Sequence, residues 1–230
     1  MATTKTLQET VDWARTFTKL VPIVGIGGFS NEPALTICNS VIQEILSPPH
    51  KWKFNRAELT SFITIDGTQD YAQAATTDMS WLESCVIEDE ANTSTSPDLK
   101  PTHEIEAVQD LPKESFKDNP EKVCILKEAT TTTTLRFWKV PSTVVWRAYV
   151  VYQKKAVIKT ALTANWSPIP DDLAWVYQQG FLAMAYKMAD DTRAETEYRK
   201  FLRDIGRATA KDEAELQHEG FFPATPIMRG

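Results

Sequence analysis

Helical periodicity is confined to the two ends of this chain, and that distribution constrains the fold more than any other feature. Apolar residues three and four apart predict one helix over residues 6–20 and a second that is capped by Ser30 or Asn31. The same spacing predicts a third helix over residues 173–188 and a fourth after the capping sequence at 190–192. We therefore predict an α+β fold, with a helical bundle of about four helices formed by the N- and C-terminal parts.

The two C-terminal helices carry features that predict how they pack. Gly180 lacks a side chain, so another helix can approach it closely. Glu195 and Arg199 are four residues apart, which predicts an exposed ion pair. The charged residues 211–219 either extend the fourth helix or form a short fifth one. The side chains expected to face inward from the fourth helix are Ala194, Tyr198, Phe201, Leu202 and Ile205.

The middle of the chain predicts an antiparallel β region inserted between the helical parts, over residues 57–159. Four runs carry the β-branched and aromatic residues that are typical of half-buried strands: 59–65, 81–87, 130–138 and 144–152. The last two runs predict a hairpin that closes through Pro141, Ser142 and Thr143.

These elements predict three structural parts. A helical core comprises residues 1–56 and 160–218, the β region comprises residues 57–159, and residues 219–230 form an extended tail. A chain of 230 residues with 42% hydrophobic residues buries roughly 70% of its surface on folding, which excludes general disorder.

One acidic segment accounts for the net charge of the chain. Residues 88–121 hold ten acidic and three basic residues, a balance of −7, whereas the whole chain carries −6. Four prolines interrupt any long element in this segment. We interpret it as an exposed loop with short strands, and the alternative is an acidic arm that docks on a partner. An acidic chain without a general basic surface is not a nonspecific nucleic-acid binder.

The three cysteines are Cys38, Cys85 and Cys124, an odd number at distant positions. This pattern fits reduced thiols and maturation in a cytosol better than a disulfide framework. No stretch approaches the roughly 20 apolar residues that span a bilayer, so we expect no membrane contact.

Candidate catalytic and cofactor motifs fail on inspection. The glycines of residues 25–28 lack the third glycine and the acidic partner of a dinucleotide-binding fingerprint. The three histidines have no metal-binding spacing, so no cofactor or metal is expected. The paired aspartates at 171–172 and 190–191 stand at predicted helix starts, where capping is a more frequent role than catalysis.

The last ten residues have no helical or strand period. They hold two prolines and four large apolar side chains. A segment of this kind cannot form a core of its own, so it packs either over its own helices or on another molecule.

Three sets of segments, taken in order along the chain, carry a resemblance to a known family. Trp52-Lys53-Phe54-Asn55 follows the second helix, and Asp66-Gly67-Thr68-Gln69-Asp70-Tyr71 forms a turn after a strand. Trp166-Ser167-Pro168-Ile169-Pro170-Asp171 then precedes a long helix, Asp190-Asp191 and another helix. This order resembles the head-to-tail adaptors of tailed bacteriophages, the family that includes podophage tail tubular protein A, or gatekeeper.

The resemblance implies a structural protein of the virion neck that is assembled in the host cytoplasm and is not an enzyme. Twelve copies would form a ring beneath the portal, with the β part directed at tail or nozzle proteins. DNA would pass through the ring without sequence-specific binding. Grooves of the portal would hold seven residues of the tail: Phe221, Phe222, Pro223, Pro226, Ile227, Met228 and Arg229.

Two other functions remain open from the sequence. The nearer one is another neck or tail-completion component, such as a stopper or a terminator. The more distant one is a small hydrolase that uses a Cys–His pair or the aspartates.

Overall fold

The computed structural model describes residues 3–18, 33–74, 78–91, 98–101, 117–128 and 132–220. The chain divides into two compact units. One unit comprises Met1–Asn55 and Ala156–Gly230, and the other comprises Arg56–Lys155.

Within the described residues the first unit has four α-helices: α1 (Leu7–Thr18), α2 (Ala34–Ile45), α3 (Ala174–Met188) and α4 (Ala194–Gly220). Helix α3 is the central one, because it packs against each of the other three. Its sequence is apolar on most sides, and residues from Val176 to Tyr186 are buried on more than one face. Non-helical segments complete the core of this unit, through the buried side chains Leu46, Trp52, Leu162, Trp166 and Ile169.

Gly180 is the point of closest approach in this unit, as its position in the sequence predicted. A Cβ atom built on Gly180 would lie 2.6 Å from the ring of Phe201 on α4 and 2.8 Å from Cγ1 of Val41 on α2. Helices α2, α3 and α4 therefore meet where α3 presents only backbone. Tyr198 adds a second link, because its hydroxyl donates a 2.8 Å hydrogen bond to Oε1 of Glu44.

The part of the second unit that the structure describes has ten strands: β1 (Arg56–Glu58), β2 (Phe62–Ile63), β3 (Asp70–Ala74), β4 (Met79–Asp89), β5 (Asp98–Pro101), β6 (Lys117–Asp118), β7 (Lys122–Glu128), β8 (Thr132–Trp138), β9 (Val140–Pro141) and β10 (Trp146–Lys154). Eight of them form one sheet in the order β1-β10-β4-β5-β7-β8-β3, with β2 also paired to β10. The pairs are antiparallel except β5 with β7, which is parallel. Strands β6 and β9 form a separate parallel pair.

Alternation of buried and exposed residues gives the sheet its core. Along β8 the pattern alternates strictly, so that Leu135 and Phe137 point inward. The sheet curls, since Phe62 on β2 packs 5.4 Å from Tyr71 on β3 and 6.0 Å from Phe137, measured between ring centroids. Strands from opposite ends of the sheet order thus share one cluster of aromatic side chains.

The prediction of a fold defined by a helical bundle is wrong. The structure is a mixed α/β arrangement dominated by the eight-stranded sheet, although four helices are present and the α+β description fits in part. Periodicity located the helices, but it carried no information on how many strands the middle of the chain pairs into one sheet. The expected antiparallel arrangement is also interrupted by the parallel β5–β7 pair.

The predicted hairpin between residues 130–138 and 144–152 is also wrong. Strand β8 pairs with β7 and β3, whereas β10 pairs with β4, β1 and β2. The expected turn is used differently, because Val140 and Pro141 pair with β6 and the carbonyl of Pro141 accepts the N–H of Gly67 at 2.9 Å. Pairing partners of a strand are set by non-local packing, which a local turn signal does not report.

A methyl group at Gly180 should destabilise the protein, because the Cβ atom overlaps two buried side chains. We expect Gly180→Ala to lower the free energy of unfolding by about 1–3 kcal/mol, measured by urea denaturation. The matched control is Gly206→Ala on α4, where no described atom lies within 4 Å of the added Cβ. Alanine is the better helix former by about 1 kcal/mol, so the control should be stabilised. Equal effects of the two substitutions would contradict the close approach.

Candidate functional site

The predicted portal-docking residues follow directly after α4. Phe221, Phe222, Pro223, Pro226, Ile227, Met228 and Arg229 lie outside the described residues. Helix α4 runs to Gly220, so residues 219 and 220 of the predicted tail are helical and the charged run 211–219 extends the fourth helix. The structure therefore defines how the chain reaches the tail, and the docking role of the tail stays a prediction.

Helix α4 is held on α3 by its N-terminal half. Phe201 and Ile205 are fully buried, and Nε2 of Gln179 donates a 2.8 Å hydrogen bond to Oε2 of Glu197. The predicted ion pair of Glu195 with Arg199 is present at 2.9 Å. Leu202, expected to face inward, is instead 40% exposed.

A clamp near residue 166 joins the start of the chain to the segment before α3. The indole of Trp166 is fully buried, stacks on Tyr177 at 4.3 Å between ring centroids and donates a 3.0 Å hydrogen bond to Oγ1 of Thr10. Nδ2 of Asn165 donates to the carbonyl of Thr3 at 3.1 Å. The predicted motif at residues 166–171 thus acts as a structural brace.

Asp171 extends this clamp instead of capping α3. Its carboxylate accepts the N–H of Thr4 at 2.9 Å, the hydroxyl of Thr4 at 2.6 Å and the N–H of Lys5 at 3.1 Å. These hydrogen bonds lower the pKa of Asp171. No side-chain hydrogen bond caps the turn at Asp171–Leu173 or the start of α3, so the capping role predicted for residues 171–172 is wrong.

Asp191 does bind the backbone just before α4. Its Oδ1 accepts the N–H of Arg193 at 2.8 Å, and its carboxylate pairs with the Arg193 guanidinium at 2.8 Å. The hydrogen bonds from Arg193 lower the pKa of Asp191 to about 2. This aspartate is consequently an ionised group that stabilises the turn before α4.

A cavity of about 150 Å³ lies beside α4 within the helical unit. Its lining combines apolar and charged residues: Trp52, Phe54, Pro170, Asp172, Leu173, Trp175, Arg207, Ala208, Lys211 and Asp212. Trp52 and Phe54 lie 5.2 Å apart between ring centroids, and the N–H of Lys53 donates a 2.8 Å hydrogen bond to Oδ2 of Asp212. The aromatic residues of segment 52–54 therefore pack against α4, which gives them a structural role.

Four cations follow one side of α4, and we name them the basic ridge: Arg199, Arg203, Arg207 and Lys211. They recur every four residues, which places them about 6 Å apart along the helix. Arg203 and Arg207 contact the same carboxylate, that of Asp204, at 3.8 Å each. The sequence already contained this spacing, but the charge balance of the whole chain concealed it.

The sheet unit presents exposed apolar side chains next to each other on β2, β10 and the adjoining loops. Ile63, Ile65, Val145 and Tyr149 are all more than 40% exposed. Ile63 lies opposite Arg147 in the β2–β10 pair, and the N–H of Thr64 donates to the carbonyl of Trp146, so these side chains are neighbours across strands. Adjoining exposed apolar side chains of this kind are typical of protein contact surfaces.

The thiols are poorly suited to nucleophilic catalysis. Burial raises the pKa of Cys38 and of Cys85 to about 12, and it also raises the pKa of Cys124. His50 contacts Thr209 and Trp52, and burial lowers its pKa. His103 lies outside the described residues. Across the described ranges no cluster of His, Cys, Asp and Glu is able to hold a metal ion.

Among the residues that the structure describes, no helix has the length and apolar character needed to cross a membrane.

The described surface has exposed apolar side chains of the kind that contact other proteins, and burial makes the thiols poorly suited to covalent catalysis. Comparison with known families makes this specific: the model of the SU10 adaptor protein family matches residues 8–221. The match covers most of the chain, so the protein belongs to the SU10 adaptor protein family, and its resemblance to phage head-to-tail adaptors is confirmed. No curated protein matches the chain.

Family membership supports a structural role in the virion neck, in contact with portal and tail proteins. The match runs from α1 to the residue after α4 and ends at Phe221. Residues 222–230 lie beyond it, so the family supports the adaptor role without testing the tail.

Replacing Asp171 with asparagine should remove a pH-dependent contribution to stability. Hydrogen bonds from Thr4 and Lys5 lower the native pKa of Asp171 relative to the unfolded chain, where it is about 3.9. Its contribution is therefore fully present above about pH 4 and is lost as the pH falls through the lowered native pKa. The urea midpoint of wild type should be higher than that of Asp171→Asn at pH 7, and the two midpoints should converge in acid.

The control for this experiment is Asp172→Asn, because Asp172 has no hydrogen-bond partner within the described part of the chain. Its midpoint should follow wild type at every pH. A constant difference between wild type and Asp171→Asn from pH 7 to pH 2 would contradict the role of the Asp171 carboxylate.

The three thiols should react slowly with a thiol-specific reagent at pH 8 in the folded protein. At Cys38 and Cys85 a pKa of about 12 leaves roughly a thousandfold fewer thiolates than an unfolded cysteine has at this pH, and burial shifts the pKa of Cys124 in the same direction. We expect three equivalents to react rapidly in urea and none at a comparable rate without it. A thiol that reacts rapidly in the native protein would support the hydrolase alternative.

Proposed function

We propose that this adaptor assembles as a ring of twelve copies beneath the portal and connects it to tail proteins while DNA passes through the centre. In this proposal the assembly forms in the host cytoplasm and no reaction is catalysed. The helical unit faces the portal, and the sheet unit is directed at the tail proteins of the virion. The tail segment, with Phe221, Phe222, Ile227 and Met228 as its apolar anchors, binds grooves of the portal.

The observation that carries this proposal is the length of α4 relative to α3. Helix α4 has 27 residues and is about 40 Å long, whereas the 15 residues of α3 span about 22 Å. Lys211 and Asp212 lie beside Leu173, at the start of α3, because all three line the cavity. The last two turns of α4 therefore run past the start of α3, and the tail is attached at Gly220, beyond that point.

The composition of the tail supports docking on another molecule. Two prolines in ten residues restrict the unbound chain, so binding costs less conformational entropy than it would for a glycine-rich segment. Among the described residues, the helical unit has one buried cluster and the sheet unit has another, so each unit has a core of its own. In the proposed assembly the tail binds the portal.

The ring itself requires contacts between copies and a bore that does not hold DNA. The exposed apolar side chains Ile63, Ile65 and Val145 offer contact area on the sheet unit. The net charge of −6 limits phosphate binding, and each phosphate contact would add affinity that slows the movement of DNA.

Deleting residues 221–230 should separate folding from portal attachment. We expect the truncated protein to keep the thermal midpoint of wild type within about 2 °C and to lose co-elution with purified portal in size-exclusion chromatography with light scattering. The matched control replaces the same ten residues with a Gly/Ser sequence of equal length, which should behave like the deletion.

Two results would overturn this assignment. If the truncated protein unfolds, the tail belongs to the core of its own chain. If it still binds portal as wild type does, another surface makes the attachment. Binding of the full chain to purified tail proteins but not to portal would instead favour a stopper or terminator role.

A further inference from the structure

The acidic segment that accounts for the charge of the chain has no role in the function proposed so far. Its part between β5 and β6, residues 102–116, carries four carboxylates and one lysine. The acidic residues are Glu104, Glu106, Asp110 and Glu114, and apolar residues lie among them at Ile105, Val108 and Leu111. We name residues 102–116 the acidic arm. Its chemistry requires a surface that offers both cations and apolar area.

The basic ridge offers the cations. The side chains of Arg203 and Arg207 are 58% and 66% exposed, and their shared partner Asp204 is 15% exposed. Contacts of 3.8 Å to one carboxylate leave most of each guanidinium available to a second acceptor, since a guanidinium carries five N–H donors. The other end of the ridge is already engaged, because Arg199 binds Glu195 at 2.9 Å.

The cavity beside the ridge offers the apolar area. Arg207 and Lys211 line it together with Phe54, Leu173 and Trp175, the last of which is 44% exposed. The carboxylates of Asp172 and Asp212 also line it, and that of Asp212 accepts the N–H of Lys53. One side of α4 therefore presents cations and an adjoining apolar cavity within two helical turns.

We propose that the acidic arm of one copy binds the basic ridge and the adjoining cavity of a neighbouring copy. This inference rests on the proposed ring and adds a contact that joins its members. The carboxylates of the arm pair with Arg203, Arg207 and Lys211, and an apolar residue of the arm enters the cavity. The ridge spans about 18 Å. The arm is joined to β5 and β6 at its two ends, so its 15 residues project at most about 25 Å as a loop, which is long enough to follow the ridge.

Charge complementarity favours this occupant over the others that the chain offers. The C-terminal tail carries Arg229 and no acidic residue, so it lacks partners for the ridge. DNA would supply phosphates to the arginines but no apolar group for the cavity, whereas the acidic arm supplies both.

The test is a charge swap between chains. Variant R is Arg203→Glu with Arg207→Glu, and variant A is Glu104→Lys with Glu106→Lys. Each alone places like charges opposite each other, and we expect each to weaken ring assembly about tenfold or more, measured as the mass distribution by light scattering across a dilution series. The control, Arg15→Glu with Lys187→Glu, changes the net charge as variant R does and should assemble as wild type.

Mixing decides which copy supplies the arm. In an equimolar mixture of variants R and A, the reversed ridge of one chain meets the reversed arm of the other, and rings should form again. A chain carrying all four substitutions should also assemble. Recovery in the combined chain without recovery in the mixture would mean that each arm binds its own chain, and it would overturn the proposal.

Other outcomes are equally decisive. If variants R and A form rings as wild type does, the ridge does not bind the arm, even if variant R then loses portal or DNA binding. Circular dichroism verifies folding, and Arg203→Gln with Arg207→Gln provides a milder ridge variant that should assemble with intermediate strength. A wild-type chain that forms no ring, alone or with portal, would refute the proposed function itself, independently of the arm.

Discussion

The clamp formed by Trp166 is the contact on which the helical unit depends. This unit is built from two stretches of sequence that are separated by the hundred residues of the sheet unit, so local contacts alone cannot close it. Trp166 joins the two stretches by stacking on Tyr177 and binding Thr10, and Asp171 adds hydrogen bonds to Thr4 and Lys5. Because loop-closure entropy grows slowly with loop length, a few buried contacts of this kind suffice to hold such an insertion.

The clamp fixes the position of α3, and the other helices of the unit take their positions by packing against it. Gly180 brings α2 and α4 onto α3 at one level, and the antiparallel course of α3 and α4 then sets where α4 ends. The place where α4 ends is thus determined by core packing some 40 residues earlier in the sequence. In the proposed docking role this coupling matters, since a docking segment is useful only when the folded unit presents its point of attachment in a constant position.

The sequence allowed the helices to be predicted because their signals are local. Spacing of apolar residues located all four helices, and it anticipated the close approach at Gly180 and the Glu195–Arg199 pair. The sheet was harder to predict, because strand partners depend on non-local packing. The segment of β4 was predicted as a strand. However, β8 and β10 were predicted to pair with each other, and the parallel β5–β7 pair was not predicted. The basic ridge escaped because a charge sum over the chain hides how cations are arranged along one helix.

The distribution of charge reconciles the cationic side of α4 with the proposed passage of DNA through a ring of this protein. Arginines exposed to a DNA channel would bind phosphates and slow the passage of DNA, and the effect grows with each contact. In the proposed ring, Arg203 and Arg207 are engaged by carboxylates of a neighbouring copy, so they contribute to the assembly and not to the bore. The acidic arm and the ridge of α4 then have related roles, because each neutralises charge on the adjacent copy that would otherwise face solvent or DNA. The acidity of the chain is, on this argument, a property of its assembly.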